Sequence, residues 1–379
     1  MAKLTTNFSQ RLQQSRMVIL LLTIIGLFLG LWLCTTAIIS LMTQESEIIY
    51  QVKTLTEGKN SVIQVDVNQI DMTNNNKLIH ITGETIIDEI IVDKIFKIEV
   101  INVIKLRRII QAYQWQEDSE HNYTKIWSEQ FIDSKKFYDH KYHNPILPFT
   151  SKLFIAKQVI LGDFIVSNKL IDDMDHYQKL PMQGLWQEQK NLQEILPNKQ
   201  LHFIDGSYYI GESPKQPQIG DLKISFTAIL PENISIIAKQ QLQLLPYKTQ
   251  IGGNIELFEY GILTSERMFR NARADLFANH LKLRLENMFA IFIGIYVIFH
   301  VLWMVSPSLL NPMNFRGWLL ALIIAVALTL FIIAINWHEY NSIVGKVLFI
   351  LSIGILYLLK FSYKPQLLVR ETMIPQKRD

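Results

Sequence analysis

Cysteine is almost missing from this 379-residue chain: the single thiol, Cys34, lies inside an uncharged apolar stretch. No disulfide can close within the chain, and one copy cannot assemble a cysteine-based metal site. Whatever part of the molecule faces an oxidising compartment must therefore be held by its own core. Linear signatures of chemistry are missing too. There is no Gly-x-Ser-x-Gly elbow, phosphate loop, dinucleotide fingerprint or His-Glu-x-x-His. Distant residues could still assemble a triad, but no serine or carboxylate stands out as a nucleophile. The reading is a non-enzyme with no cofactor.

Two clusters suggest metal ligands only superficially. His140 and His143 sit near Asp133 and Asp139, but their spacing matches no zinc signature and Lys141 adds charge. Asp172, Asp173, Asp175 and His176 read as a solvated turn. No metal is expected at either place.

Charge is present but unevenly spread. Between Thr43 and Glu286, Lys and Arg number 27 and Asp and Glu 31, a net of −4. The whole-chain net of +3 thus leaves +7 on the flanks. A basic balance of this kind reflects membrane-flanking residues and does not point to nucleic acid.

The uncharged run Met17 to Met42 is about 25 residues, enough to cross ~30 Å of hydrocarbon with some tilt. It exceeds a signal-peptide core and has no small-x-small cleavage site after it, so it reads as a retained anchor. Three further runs follow at 288–310, 317–337 and 347–361, the last flanked by Lys346 and Lys360. Trp303, Trp318, Trp337 and Tyr340 lie near span ends, where amphipathic rings favour the interface. Lys3, Arg11, Arg16, Arg316, Lys360, Lys364, Arg370, Lys377 and Arg378 would share one side of the membrane, which the positive-inside rule makes the cytosolic side. Residues 1–16 and the basic tail 362–379 are then cytosolic, and 43–264 is periplasmic, exoplasmic or luminal.

That middle segment alternates with a period of two. Ser61–Val67, Lys77–Thr82, Asp221–Ile229 and Asn254–Tyr260 each put apolar residues on one face. Helices are expected around Ser151–Val159 and Gln187–Ile195. Gly162–Ser167 and Gly220–Ser225 share a Gly-Asp-apolar-x-aliphatic-Ser pattern, a weak internal echo. The expected fold is α+β: a β-rich domain between one N-terminal and three C-terminal transmembrane helices.

At 265–286 the period becomes helical. Met268, Phe269, Ala272 and Leu276 share one face and Arg267, Arg270 and Arg273 crowd another. This suits a basic amphipathic helix touching anionic headgroups, or a helix packed on the domain with its arginines solvated. In the β region, alternation puts Arg107, Tyr113 and Trp115 on one strand face and Arg108 on the other. Arg107, Arg108, Tyr113 and Trp115 are the candidate interaction surface. The competing reading puts the two rings in the core and pairs an arginine locally, and it is the favoured one. Gly26 and Gly30 form Gly-x-x-x-Gly, which allows helices to approach closely, either between two copies or within one chain. His300, deep in the second span, needs a polar partner there and is expected to bond to a neighbouring span.

Leu78–Glu84, the Arg107-Arg108 to Tyr113-Gln-Trp-Gln-Glu117 segment, Trp127–Phe137, His143-Asn-Pro145 and Ile219–Phe226 resemble blocks of the LUMA family of four-span endomembrane proteins. The one-plus-three span layout agrees, so the resemblance covers most of the chain. It implies a membrane organiser. In animals that family sits in the endoplasmic reticulum and inner nuclear membrane, self-associates and is tied to emerin and lamins. The Ile-, Asn-, Gln- and Lys-rich composition would equally suit a bacterial relative, which has no lamina, so emerin- or lamin-type partners are implied only in a eukaryote. The expected function is a self-associating membrane scaffold that presents a non-cytosolic interaction domain to an unidentified protein. The alternative is a transport or lipid-handling component using the C-terminal spans and the basic helix. Expected partners are a second copy, membrane lipids and that unidentified protein.

Overall fold

The computed structural model describes residues 2–180, 199–305 and 315–362. It divides into two compact units, Glu57–Arg270 and Met1–Thr56 with Asn271–Asp379.

Among the described residues the second of these units is built from four long helices, α1 (Ala2–Ser61), α3 (Ser265–Val305), α4 (Phe315–Tyr340) and α5 (Ser342–Ser362), with the end of α1 and the start of α3 counted in the first. Three of them, α1, α3 and α4, are long and apolar enough to cross a membrane, and α5 is a shorter apolar helix. The chain thus has mixed helix and sheet content, with a β-rich region between N-terminal and C-terminal apolar helices.

Two helices run on where a change was expected. β structure does not begin near 43, because α1 continues to Ser61. Leu41, Glu45, Ile48 and Val52 are all buried, at a spacing that keeps one helical face inward. The basic segment 265–286 is the first half of α3 and not a separate helix, since no glycine or proline interrupts it before Gly294.

The Glu57–Arg270 unit is a two-sheet structure with a short helix, α2 (Asn168–Asp173). Its strands, in chain order, begin with β1 (Ile63–Gln64), β2 (Leu78–Ile86), β3 (Ile90–Asp93), β4 (Ile98–Ile101), β5 (Lys105–Glu117) and β6 (Tyr123–Ser128). There follow β7 (Lys152–Ile155), β8 (Ile160–Leu161), β9 (Phe164–Ile165), β10 (Gln178–Lys179), β11 (Leu201–Ile204) and β12 (Ser207–Ile210). The last are β13 (Leu222–Ile229), β14 (Asn233–Lys239), β15 (Tyr247–Lys248), β16 (Asn254–Ile255) and β17 (Leu257–Tyr260). Among the described residues one sheet runs β17-β14-β2-β8-β9 with β1 beside β2. The other runs β11-β12-β13-β5-β6, with β10 on β13 and β7 on β5. Hairpins β3-β4 and β15-β16 stand apart.

Strand β5 organises the second sheet. Its residues 105–112 pair with β13. β7 pairs with residues 105–108 and β6 with 112–117. Leu106, Ile110, Ala112, Leu222, Ile224 and Phe226 meet Ile79, Ile81, Ile234 and Ile236 of the other sheet in one apolar core. Burying each such side chain contributes roughly 1.5–3 kcal/mol before entropy is counted.

Three of the four alternating runs become strands near their expected places: β2, β13, and the pair β16 and β17. The run at 61–67 gives only the short β1. The helix expected at Ser151–Val159 is a strand instead, β7. The edge of β5 supplies partners for its backbone, and Ser151 Oγ accepts from Ile110 N at 3.0 Å. Tertiary pairing overrides local propensity there. The helix expected at Gln187–Ile195 lies outside the described residues. The two Gly-Asp echoes enter different sheets, through β9 and β13, but both glycines hold positive φ, +60° at Gly162 and +89° at Gly220. A Cβ on Gly162 would collide with the Val67 carbonyl oxygen.

Candidate functional site

In the helical unit the chemistry centres on one carboxylate. Glu45 follows the inward face of α1 and is fully enclosed, so its charge must be met by protein. Oε1 accepts from Arg284 Nε at 2.5 Å. Oε2 accepts from Arg284 Nη2 and from Trp337 Nε1, both at 2.7 Å. One acid therefore ties α1 to α3 and α4. Neighbouring polar contacts follow the same order, Asn287 Nδ2 donating to Gln44 Oε1 at 3.1 Å and Arg273 Nη2 to Thr56 Oγ1 at 2.8 Å. Apolar clusters flank the polar layer along the helices: Ala37, Ile291, Phe292, Ala321 and Ala325 on one side, and Ile48, Val52, Leu276 and Ile333 on the other.

The glycine face of α1 is occupied within the chain. A Cβ on Gly26 would lie 2.4 Å from Val301 Cγ2, and one on Gly30 would lie 2.8 Å from the Gly294 carbonyl oxygen. A Cβ on Gly294 would likewise lie 2.8 Å from the Gly30 carbonyl oxygen. These contacts seat α3 on α1, the within-chain packing that Gly-x-x-x-Gly allows. Trp337 is buried against Glu45 and does not project as an interfacial ring. His300 is half-buried with its ring 6.0 Å from that of Trp303, and among the described residues its Nδ1 has no hydrogen-bond partner.

The basic segment divides. Met268 and Phe269 are buried, with Phe269 near Gly58, while Arg267 and Arg270 are exposed. Of the three candidate arginines, Arg273 alone bonds to a side chain among the described residues, that of Thr56. The apolar face of this helix is packed at Met268 and Phe269, and its basic face stays open at Arg267 and Arg270.

In the β unit, β5 separates the four candidate residues by parity. Arg108 points into the core. Its Nη1 donates to Asp93 Oδ2 at 2.6 Å, and Nε and Nη2 donate to the Thr150 carbonyl at 3.1 and 2.9 Å. The guanidinium also lies 5.1 Å from the Phe96 ring centroid. Arg108 is thus a structural charge with no access to a ligand. Arg107 is on the outer face, bonded through Nη2 to both carboxylate oxygens of Glu129. Tyr113 and Trp115 share that outer face and are half-buried, so the expectation that the rings fill the core is overturned. The core parity is taken by Leu106, Arg108, Ile110, Ala112 and Gln114.

Cross-strand pairing extends the outer face. Tyr113 lies opposite Trp127 with centroids 5.1 Å apart, and Trp115 lies opposite Lys125, whose Nζ is 4.9 Å from the indole. Lys223 Nζ sits 4.1 Å over Trp127. Trp115 meets Tyr142 edge-on at 4.7 Å, and Tyr142 stacks on Tyr123 at 3.9 Å. Rings and ammonium groups alternate across strands β6, β5 and β13, each ring held by a neighbour.

Two buried groups the sequence did not single out stand beside this sheet. Asp221 accepts from Tyr209 Oη at 2.6 Å, Gln218 N at 2.8 Å and Lys199 Nζ at 2.8 Å. Burial alone would raise its pKa, but the bonds from Lys199, Tyr209 and Gln218 outweigh it and hold the carboxyl below its usual value. Burial and the same carboxylate push Tyr209 well up. Lys105 donates to the Asp172 and Met174 carbonyls at 2.9 and 2.8 Å, and burial draws its pKa down against the opposing pull of Asp172, Asp173 and Asp175. Among the described residues no three His, Cys, Asp or Glu side chains converge on a metal position. His176 instead stacks on Tyr260 and pairs with Glu232 at 3.3 Å, and Lys141 pairs with Asp139 at 2.8 Å.

A family model described as Transmembrane protein 43 matches residues 111–342, from the middle of β5 past the end of α4. The chain is 26% identical to human Transmembrane protein 43 over 355 residues, covering 84% of this chain and 85% of that protein. It is 26% identical to the Pongo abelii protein with the same coverage. It is 27% identical over 308 residues to the Drosophila melanogaster homolog, covering 72% and 77%. No solved structure matches.

Two outcomes follow from this geometry. Glu45→Ala strands Arg284 and should lower unfolding stability by ~3–5 kcal/mol, whereas Glu45→Leu with Arg284→Leu should recover most of it. Thermal unfolding of the three detergent-solubilised proteins checks this. Because the pKa of Asp221 is depressed in the fold, its contribution is present above the ordinary carboxylate value and is lost as pH falls through the folded value. Asp221→Asn should therefore be less stable than wild type at neutral pH, and its stability should fall less steeply than wild type's below about pH 4. Chemical denaturation across that range measures both slopes.

Proposed function

Because the chain belongs to the Transmembrane protein 43 family, the one named LUMA above, we propose that it is a membrane-anchored scaffold whose β domain binds a partner protein. The observation that carries this reading is the outer face of the β5 sheet. Tyr113, Trp115 and Trp127 stand half-buried on rigid strands with Lys125 and Lys223 over the rings. Aromatic side chains dominate interface energetics, and rings already fixed by neighbours lose little further entropy on binding. The flanking ammonium groups favour a partner that brings carboxylates.

In this reading the integral membrane helices serve as the anchor. Both termini face the cytosol and the β domain lies on the other side, in the periplasm, exterior or endomembrane lumen, because the basic flanks favour that orientation. In a eukaryote that places the domain in the lumen of the endoplasmic reticulum or nuclear envelope, and emerin- or lamin-type partners apply only there. Self-association uses the sheet face or the lipid-facing helix surfaces, since Gly26 and Gly30 are engaged by α3.

A photo-crosslinking residue at Lys125 in native membranes should capture a second copy or one recurring protein, while the same residue at Gln116, on the opposite face of β5, should not. Absence of protein adducts from position 125 would sink the proposal.

A further inference from the structure

The turn between α4 and α5 is tight. Asn341 caps α5, its Oδ1 accepting from Ile343 N at 3.1 Å and Val344 N at 3.2 Å. Gly345 lies directly on α4, where a Cβ would fall 2.5 Å from His338 Cα. The two helices are therefore held together at the hairpin end, and between them opens a cavity of about 500 Å³. Its wall repeats one spacing on both helices. On α4, Ile335 is followed by His338 and Glu339; on α5, Lys346 is followed by Phe349 and Ile350. Each helix thus places polar groups at the hairpin end and apolar side chains about one turn, ~5.4 Å, further along.

Among the described residues neither Glu339 nor Lys346 makes an ion pair or side-chain hydrogen bond, and both are exposed. Ile335, Phe349 and Ile350 are also exposed, as suits helices solvated by hydrocarbon. A cavity with an anion and a cation at one end and an apolar trough beyond them is complementary to a zwitterionic amphiphile. A ligand with only an anionic head would meet Glu339 unfavourably, and one with only a cationic head would meet Lys346 so. A choline head normally calls for an aromatic box, and none lines this rim. A primary ammonium can donate directly to the Glu339 carboxylate while Lys346 donates to a phosphate.

We propose that the α4–α5 hairpin is a binding site for a phosphoethanolamine-headed phospholipid. Its phosphate rests on Lys346, its ammonium on Glu339, and an acyl chain lies along Ile335, Phe349 and Ile350. The site is independent of the β5 face and stands or falls separately from the scaffold reading.

The test is native mass spectrometry of the full chain in mild detergent, titrated separately with palmitoyl-oleoyl phosphatidylethanolamine, phosphatidylcholine and phosphatidylglycerol. Wild type should retain one phosphatidylethanolamine with roughly tenfold preference over the other two. Lys346→Glu and Glu339→Lys should each remove the preference, and the double exchange, which restores one charge of each sign, should recover part of it. Ile350→Trp, which fills the trough, should weaken retention without changing headgroup rank. Equal retention of all three lipids, a preference for phosphatidylglycerol, or a preference unaffected by the charge variants would overturn the proposal. Thermal unfolding of each variant, read against the Glu45→Ala protein, separates loss of the site from loss of the fold.

Discussion

A fully enclosed carboxylate cannot be left to itself, and the helical unit is arranged around that constraint. Glu45 spends both of its oxygens on three donors from two other helices. Desolvating such an ion costs several kcal/mol, which only good geometry offsets. The positions of Arg284 and Trp337 on their helices are therefore determined by where Glu45 falls on α1. Small residues on either side make the geometry reachable: Gly30 and Gly294 let α1 and α3 touch backbone to backbone, and Ala37, Ala321 and Ala325 keep α4 near. Apolar spans alone have little reason to choose one register, because lipid solvates them as well as another helix does. The ion pair supplies that choice.

The β unit applies the same constraint to a sheet. Arg108 sits on the inward parity of β5 and is met by Asp93 and the Thr150 carbonyl. Once that parity is set, every alternate residue follows, because a strand that slips by one residue turns its whole pattern over. Tyr113 and Trp115 are thereby assigned to the outer face. Their neighbours there, Trp127, Lys125 and Lys223, come from strands that pair with β5 in a fixed register. The proposed recognition surface is in this sense a consequence of a buried arginine.

Much of this is legible in the chain itself. The apolar runs announced the helices, and the strands at 77–82, 221–229 and 254–260 announced themselves by alternation. The helical stripe of Leu41, Glu45, Ile48 and Val52 was also present, but an acid within it reads as an interruption until its partners are known. Ser151–Val159 carried no clear strand pattern, and β7 exists because β5 offers it an edge. For the arginine doublet, sequence could place the two on opposite faces, but only the packing of the second sheet decides which face is interior. The Gly26 and Gly30 pair announced close packing without saying against what.

Sequence alone thus determined the quantities that depend on local order: which segments are apolar enough for a membrane, which alternate, and which family blocks they carry. Length, hydropathy and periodicity are properties of neighbours along the chain, and they survive without a fold. Tertiary structure decided everything that depends on partners far apart in the chain. Glu45 is separated from Trp337 by 292 positions and from Arg284 by 239. A charge's character, buried and paired or exposed and available, belongs to its surroundings, and those exist only once the helices and sheets have met.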